Sequence, residues 1–170
     1  MDLSKVIREI PDFPQEGVLF RDITTLLKDP AALHDAVDQI CDQLKDLEFD
    51  YVLGPESRGF IFGVPVAYAM NKGFIPVRKP GKLPCAVIRK EYDLEYGSNV
   101  LEIHADALKK GDKVVVVDDL IATGGTSKAI CELVEEIGAE VVSMNFLIEL
   151  KDLNGREILK DYNVQSIIAY

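Results

Sequence analysis

The run Lys113-Val114-Val115-Val116-Val117 constrains this chain more than any other segment. Four consecutive β-branched residues favour a strand, and the lack of polar alternation means that both faces of that strand are covered. A strand of this kind belongs in a parallel sheet with helices on either side. The flanking pattern agrees: Tyr51–Leu53, Phe74–Val77, Asn99–Ile103, Glu140–Ile148 and Val164–Ala169 read as further strands. A helix is expected from Pro30, with Leu33, Val37, Ile40, Leu44 and Leu47 on one face. Others run from Phe60 to Met70 and from Ser127 to Ile137, the last stopped by Gly138. Strands alternating with helices imply right-handed crossovers. The expected fold is therefore α/β, a single domain over residues 1–170 with a mostly parallel, twisted sheet and helices on both faces.

Two segments stand apart from that frame. Leu3, Val6, Ile7 and Ile10 recur at helical spacing, which predicts a short amphipathic helix ended by Pro11 and Pro14 and followed by non-helical chain to about Asp22. The stretch 79–103 mixes Pro80, Gly81, Pro84, charges and Tyr92, and up to Gly97 it has no sustained period. It reads as a loop excursion from the core, with a strand only from Asn99 to Ile103.

Charge and cysteine content narrow the function classes. A formal net charge of -10 argues against a nucleic-acid scaffold. The positive charge is nonetheless concentrated: Lys72, Arg78, Lys79, Lys82, Arg89 and Lys90 occur with no acidic residue among them, which suits a local site for a small polyanion. Cys41, Cys85 and Cys131 are odd in number and widely spaced, so a reducing compartment fits best and the cytoplasm is expected. With His34 and His104 as the only histidines, a His/Cys metal site is not expected. No apolar run is long enough to span a bilayer.

Ligands of open α/β sheets bind beyond the carboxyl ends of the strands. The sequence after Val117 is Asp118-Asp119-Leu120-Ile121-Ala122-Thr123-Gly124-Gly125-Thr126, expected as a loop. Two glycines allow close backbone approach, two threonines add donors, and the following helix offers free N–H groups and its positive dipole end. That is a phosphate cradle, yet it is neither a P-loop nor a dinucleotide loop. Asp118 and Asp119, set directly after four valines, need something positive or hydroxylic to meet them, and ribose hydroxyls with hydrated Mg²⁺ would do so. Neighbouring side chains at a strand end diverge, so the two acids are expected to have different duties.

Val114 to Thr126 resembles the phosphoribosyl pyrophosphate (PRPP) signature of type I phosphoribosyltransferases. Asp12-Phe13-Pro14 with Gly17 to Asp22, then Glu56-Ser57-Arg58-Gly59-Phe60, then Leu94-Glu95-Tyr96-Gly97 extend the resemblance to the adenine phosphoribosyltransferases over nearly the whole chain. What this resemblance implies is a purine salvage enzyme that transfers 5-phosphoribosyl from PRPP to adenine, giving AMP and pyrophosphate. Ala122, Thr123, Gly124, Gly125 and Thr126 would hold the 5-phosphate, and Asp118 and Asp119 would face the ribose. Mg²⁺ would be held mainly by the substrate, with Asp118 or Asp119 reaching it through water. Ser57, Arg58 and Lys82 would meet the pyrophosphate. Residues 1–25 would form a base-binding hood in which Phe20 stacks on adenine while backbone groups of Leu19 and Arg21 read its edge. Glu95 and Tyr96 would lie on a mobile catalytic loop, acting with Arg58 at the reacting centre, and the molecule would be a homodimer.

Three rivals remain at this level. One is a phosphoribosyltransferase for another base, such as hypoxanthine, xanthine or orotate. Another is a PRPP- or purine-sensing regulator that has lost turnover, which typically needs a DNA-binding domain in addition. The third is a PRPP-making kinase subunit, which needs an ATP site.

Overall fold

The computed structural model describes residues 1–94 and 97–170. Its strands are β1 (Arg8–Pro11), β2 (Leu19–Asp22), β3 (Tyr51–Pro55), β4 (Gly73–Val77), β5 (Val87–Leu94), β6 (Gly97–His104), β7 (Lys113–Ile121), β8 (Glu140–Glu149) and β9 (Val164–Ala169). The helices are α1 (Thr24–Lys28), α2 (Pro30–Leu44), α3 (Arg58–Ala69), α4 (Gly125–Ile137) and α5 (Gly155–Ile158). Five parallel strands make the central sheet in the order β4-β3-β7-β8-β9. The valine run lies in the middle of it. Val115 and Val117, with Val52, pack under α2 and α3. Val114 and Val116, with Leu53, pack under α4 and the inner residues of β6. All four valines are fully buried, each stabilising by roughly 2 kcal/mol, which is why the run shows no polar alternation.

Local signals account for the helix ends. Asp29 caps α2 by accepting from the N–H groups of Ala31 and Ala32, with Pro30 in the first turn. Gly138 ends α4 in the left-handed conformation.

The structure corrects two of the sequence expectations. Leu3 to Ile10 is not a helix: a single 3₁₀ turn, Leu3–Val6, is capped by Asp2, and the chain then extends into β1. Antiparallel pairing with β2 satisfies the backbone there, and cross-strand ion pairs Arg8–Asp22 and Glu9–Arg21 reinforce it. The Asp22 carboxyl is held down to about 2, chiefly by hydrogen bonds from Thr24 and then by Arg8. The second correction concerns the stretch 79–103, which contains the two strands of an antiparallel hairpin, β5–β6, laid against α4. Alternation is present in β5, but amphipathic side chains carry it. Ile88, Lys90 and Tyr92 face α4, where Lys90 pairs with Glu132 and Glu136 at 3.4 and 2.9 Å.

Candidate active site

The carboxyl ends of the adjacent strands β3 and β7 open onto one cavity of about 230 Å³. One wall is Pro55 to Arg58, where β3 turns into α3; the other runs from Asp118 to Ser127. Of the residues expected from sequence, Ser57, Arg58, Asp118, Asp119 and Ala122 to Thr126 all line this space. The loop is shorter than expected, because β7 continues through Asp118 and Asp119 to Ile121 and only residues 122–124 are irregular.

Gly124, the N-cap of α4, has no side chain to cap the helix. Gly124, at φ 85°, turns the chain so that the first helical bond is Lys128 N–H to the Gly124 carbonyl. The amides of Gly125, Thr126 and Ser127 thus lead the helix into the cavity, a ready site for an anion.

The two acids have different surroundings. Asp119 is buried and receives the Arg58 guanidinium at 2.8 Å. Asp118 accepts the N–H of Asp119 at 2.8 Å. Burial, and next the neighbouring Asp119 charge, push the Asp118 carboxyl well above the usual carboxylate range. A cation arriving with a ligand would hold Asp118 ionised.

The hood meets this cavity at one point. Phe20 on β2 lies edge-on to Phe13, with ring centroids 5.1 Å apart, and the Arg58 guanidinium carbon is 5.9 Å from its ring. Leu19 and Arg21 flank Phe20 on the same strand, and Arg21 is fixed against Glu9 and over the Tyr170 ring, 3.7 Å from its centroid. Lys82 is exposed and does not line the cavity. Glu95 and Tyr96 lie outside the described residues.

Three contributors to this region have no role assigned from sequence. Glu56 accepts from the Lys79 N–H at 2.8 Å and from Arg78 at 3.2 Å, fastening the Ser57–Arg58 turn to the basic segment. The Lys79 N–H, and after it Arg78, hold the Glu56 carboxyl below its ordinary value. Tyr92 places its hydroxyl 3.1 Å from that of Thr126. Gly155 is the third. A Cβ there would stand 2.4 Å from the Ala122 carbonyl oxygen and 3.2 Å from the Gly124 nitrogen, so α5 lies directly behind the loop 122–124. Arg156 then ties α5 to the sheet, bonding Glu149 at 2.6 and 2.7 Å. The Asn154-Gly155 pair is a turn signal in sequence, but nothing in it names the partner. Gly155→Ala is expected to destabilise the fold by about 1–3 kcal/mol, because backbone atoms cannot move aside as a flexible side chain would. Thermal melting checks this, and an unchanged melt would show that the loop yields freely.

Comparison with known proteins gives the arrangement its family. The pattern described as a phosphoribosyl transferase domain matches residues 22–169. A curated adenine phosphoribosyltransferase of Clostridium novyi is 58% identical over 170 residues, covering 100% of this chain and 99% of its own. The chain belongs to the adenine phosphoribosyltransferase family. The crystal structure of the adenine phosphoribosyltransferase from Thermoanaerobacter pseudethanolicus superposes with a TM-score of 0.96 at 49% identity, covering 99% of this chain and 98% of that one. The Saccharomyces cerevisiae adenine phosphoribosyltransferase, solved with adenine and an imino-altritol bisphosphate, matches at TM-score 0.90 and 39% identity, with 96% and 95% covered. Both are similar to this member of the adenine phosphoribosyltransferases over nearly the whole chain.

Proposed function

We propose that this chain transfers the 5-phosphoribosyl group of PRPP to N9 of adenine, releasing pyrophosphate and forming AMP. The observation that carries the reading is the uncapped start of α4 placed across one cavity from Arg58, with Asp118 and Asp119 between them. The spacing suits a phosphorylated sugar with a second anionic group. The amides leading α4, with the Thr123 and Thr126 hydroxyls, take the 5-phosphate, and Asp118 and Asp119 face the ribose hydroxyls. Arg58 and Ser57 meet the pyrophosphate from the cavity wall, and Lys82, which lies outside that wall here, would join them from the basic segment.

In the reaction, the bond from the anomeric carbon to the pyrophosphate oxygen breaks, the bond to N9 forms, and the N9 proton leaves. Negative charge grows on the leaving group, where Arg58 opposes it. Phe20, fixed by Phe13, offers its face to the base, and the backbone of Leu19 and Arg21 reads the edge. Glu95 assists departure of the N9 proton, and Tyr96 closes over the centre.

The donor set fits Mg²⁺ brought in by the substrate. Among the described residues no group of three or more His, Cys, Asp or Glu side chains is gathered to cage a metal. Two carboxylates beside a phosphate cradle instead suit a cation already carried by phosphate oxygens. Asp118 or Asp119 would reach it through water, and it would neutralise charge on the departing pyrophosphate.

Incubation with PRPP, Mg²⁺ and each base in turn tests the reading. AMP and pyrophosphate should appear with adenine; equal rates with hypoxanthine would overturn the base assignment, and no turnover with any base would favour a sensor.

The reading includes a two-fold dimer. Ile61, Val64 and Tyr68 are exposed along one side of α3, at 37%, 47% and 87%, beside a groove of about 310 Å³ shared with α2. Sedimentation should give twice the 18.9 kDa chain mass at micromolar concentration, and a single-chain species alone would remove this part of the proposal. No helix among the described residues is long and apolar enough to cross a membrane. Cys41, Cys85 and Cys131 are free thiols, which supports a cytoplasmic setting.

A further inference from the structure

Tyr92 stands outside the motifs that define the family resemblance, yet its hydroxyl lies 3.1 Å from Thr126 Oγ1. Its ring lies over the start of α4, with Cδ2 and Cε2 3.8 and 3.9 Å from where a Gly125 Cβ would stand. The side chain is half-buried. Its place along α4 is set independently by Lys90, two residues earlier on the same strand face, which pairs with Glu132 and Glu136.

We propose that Tyr92 is a positioning residue for the phosphate site, its phenol donating to Thr126 so that the Thr126 proton is directed at the bound phosphate. This rests on the reading that residues 122–126 hold the 5-phosphate. In the absence of an anion, either hydroxyl can donate to the other. A phosphate dianion only accepts, so Thr126 must then donate outward, and the one arrangement that leaves every proton used has Tyr92 donating to Thr126. A phenol is a better donor than an alcohol, and a chain of hydroxyls polarises each successive O–H bond. The ring also covers the first turn of α4, keeping water from competing for the helix amides.

Isothermal titration with ribose 5-phosphate decides the matter, using Tyr92→Phe, Thr126→Val and the double variant. Loss of the Tyr92 hydroxyl should weaken binding about 5- to 10-fold, and loss of the Thr126 hydroxyl about 10- to 100-fold. The double variant should bind no more weakly than Thr126→Val alone, because Tyr92 acts through Thr126. Pyrophosphate binding, which uses Arg58, should be unchanged in Tyr92→Phe, as should the melting temperature. Wild-type affinity in Tyr92→Phe with weakened Thr126→Val would overturn the inference and leave the phosphate loop standing. Additive losses would also overturn it, since Tyr92 would then act by another route. If Thr126→Val binds normally, the reading of the loop fails and this inference falls with it. A parallel loss of pyrophosphate affinity would reduce Tyr92 to a support for the hairpin.

Discussion

Arg58→Ala should lower kcat/KM for PRPP by about 10²- to 10³-fold, with KM rising as kcat falls. In the proposed reaction the guanidinium meets pyrophosphate before the chemistry begins, so part of its contribution would be ordinary binding. It then opposes the charge that grows as the anomeric bond breaks, and that part appears in kcat. Its loss also leaves Asp119 buried without its 2.8 Å partner, which adds the cost of an uncompensated carboxylate in the empty site. Arg58→Lys keeps a charge but not the fork, so it should recover only part of the loss. Steady-state kinetics with varied PRPP, together with direct titration of pyrophosphate, separates these contributions. If KM for PRPP and pyrophosphate affinity are both unchanged in Arg58→Ala, Arg58 is only a structural partner of Asp119.

Glu95→Gln should show the opposite split. Proton removal from N9 is needed only as the new bond forms, so kcat should fall about 10²- to 10⁴-fold while KM for PRPP stays near its normal value. Gln keeps the size of the side chain but removes its charge and basicity and replaces one acceptor oxygen by a donor NH₂. Single-turnover measurement is needed, because slow release of AMP would mask a loss in the chemical step. A normal single-turnover rate would show that Glu95 takes no part in the chemical step.

How much of this is legible in the sequence depends on which atoms carry the signal. Val114 to Val117 announce a doubly covered strand because aliphatic burial is written directly in residue type. The cavity wall from Asp118 to Thr126 is legible for a similar reason, since glycines, threonines and paired acids at a strand end mark a place for a ligand. The β5 strand was missed because its buried side is made by Lys90 and Tyr92, whose stems pack while their polar ends reach partners on α4. Leu3 to Ile10 misled in the other direction. Helical spacing was present, but pairing with β2 and its ion pairs won. Gly155 could not be read at all, because its reason for being glycine is the Ala122 carbonyl, reached only when α5 folds back behind the loop.

The neighbouring placement of β3 and β7 bears on how the molecule acquires activity. Tyr51 pairs with Val114, and the Asp50 carboxylate takes the Lys113 N–H across a sequence separation of 63. Each strand delivers half of the cavity, Arg58 from one and the two acids with residues 122–126 from the other. Contacts this distant along the chain close late and slowly compared with helix formation. Recovery of PRPP binding, which in the proposed reaction uses both halves, should therefore lag behind recovery of helical circular dichroism during refolding, and saturating PRPP should raise the unfolding free energy by RT ln(1 + [L]/Kd), because only the folded chain brings the two halves together to bind it.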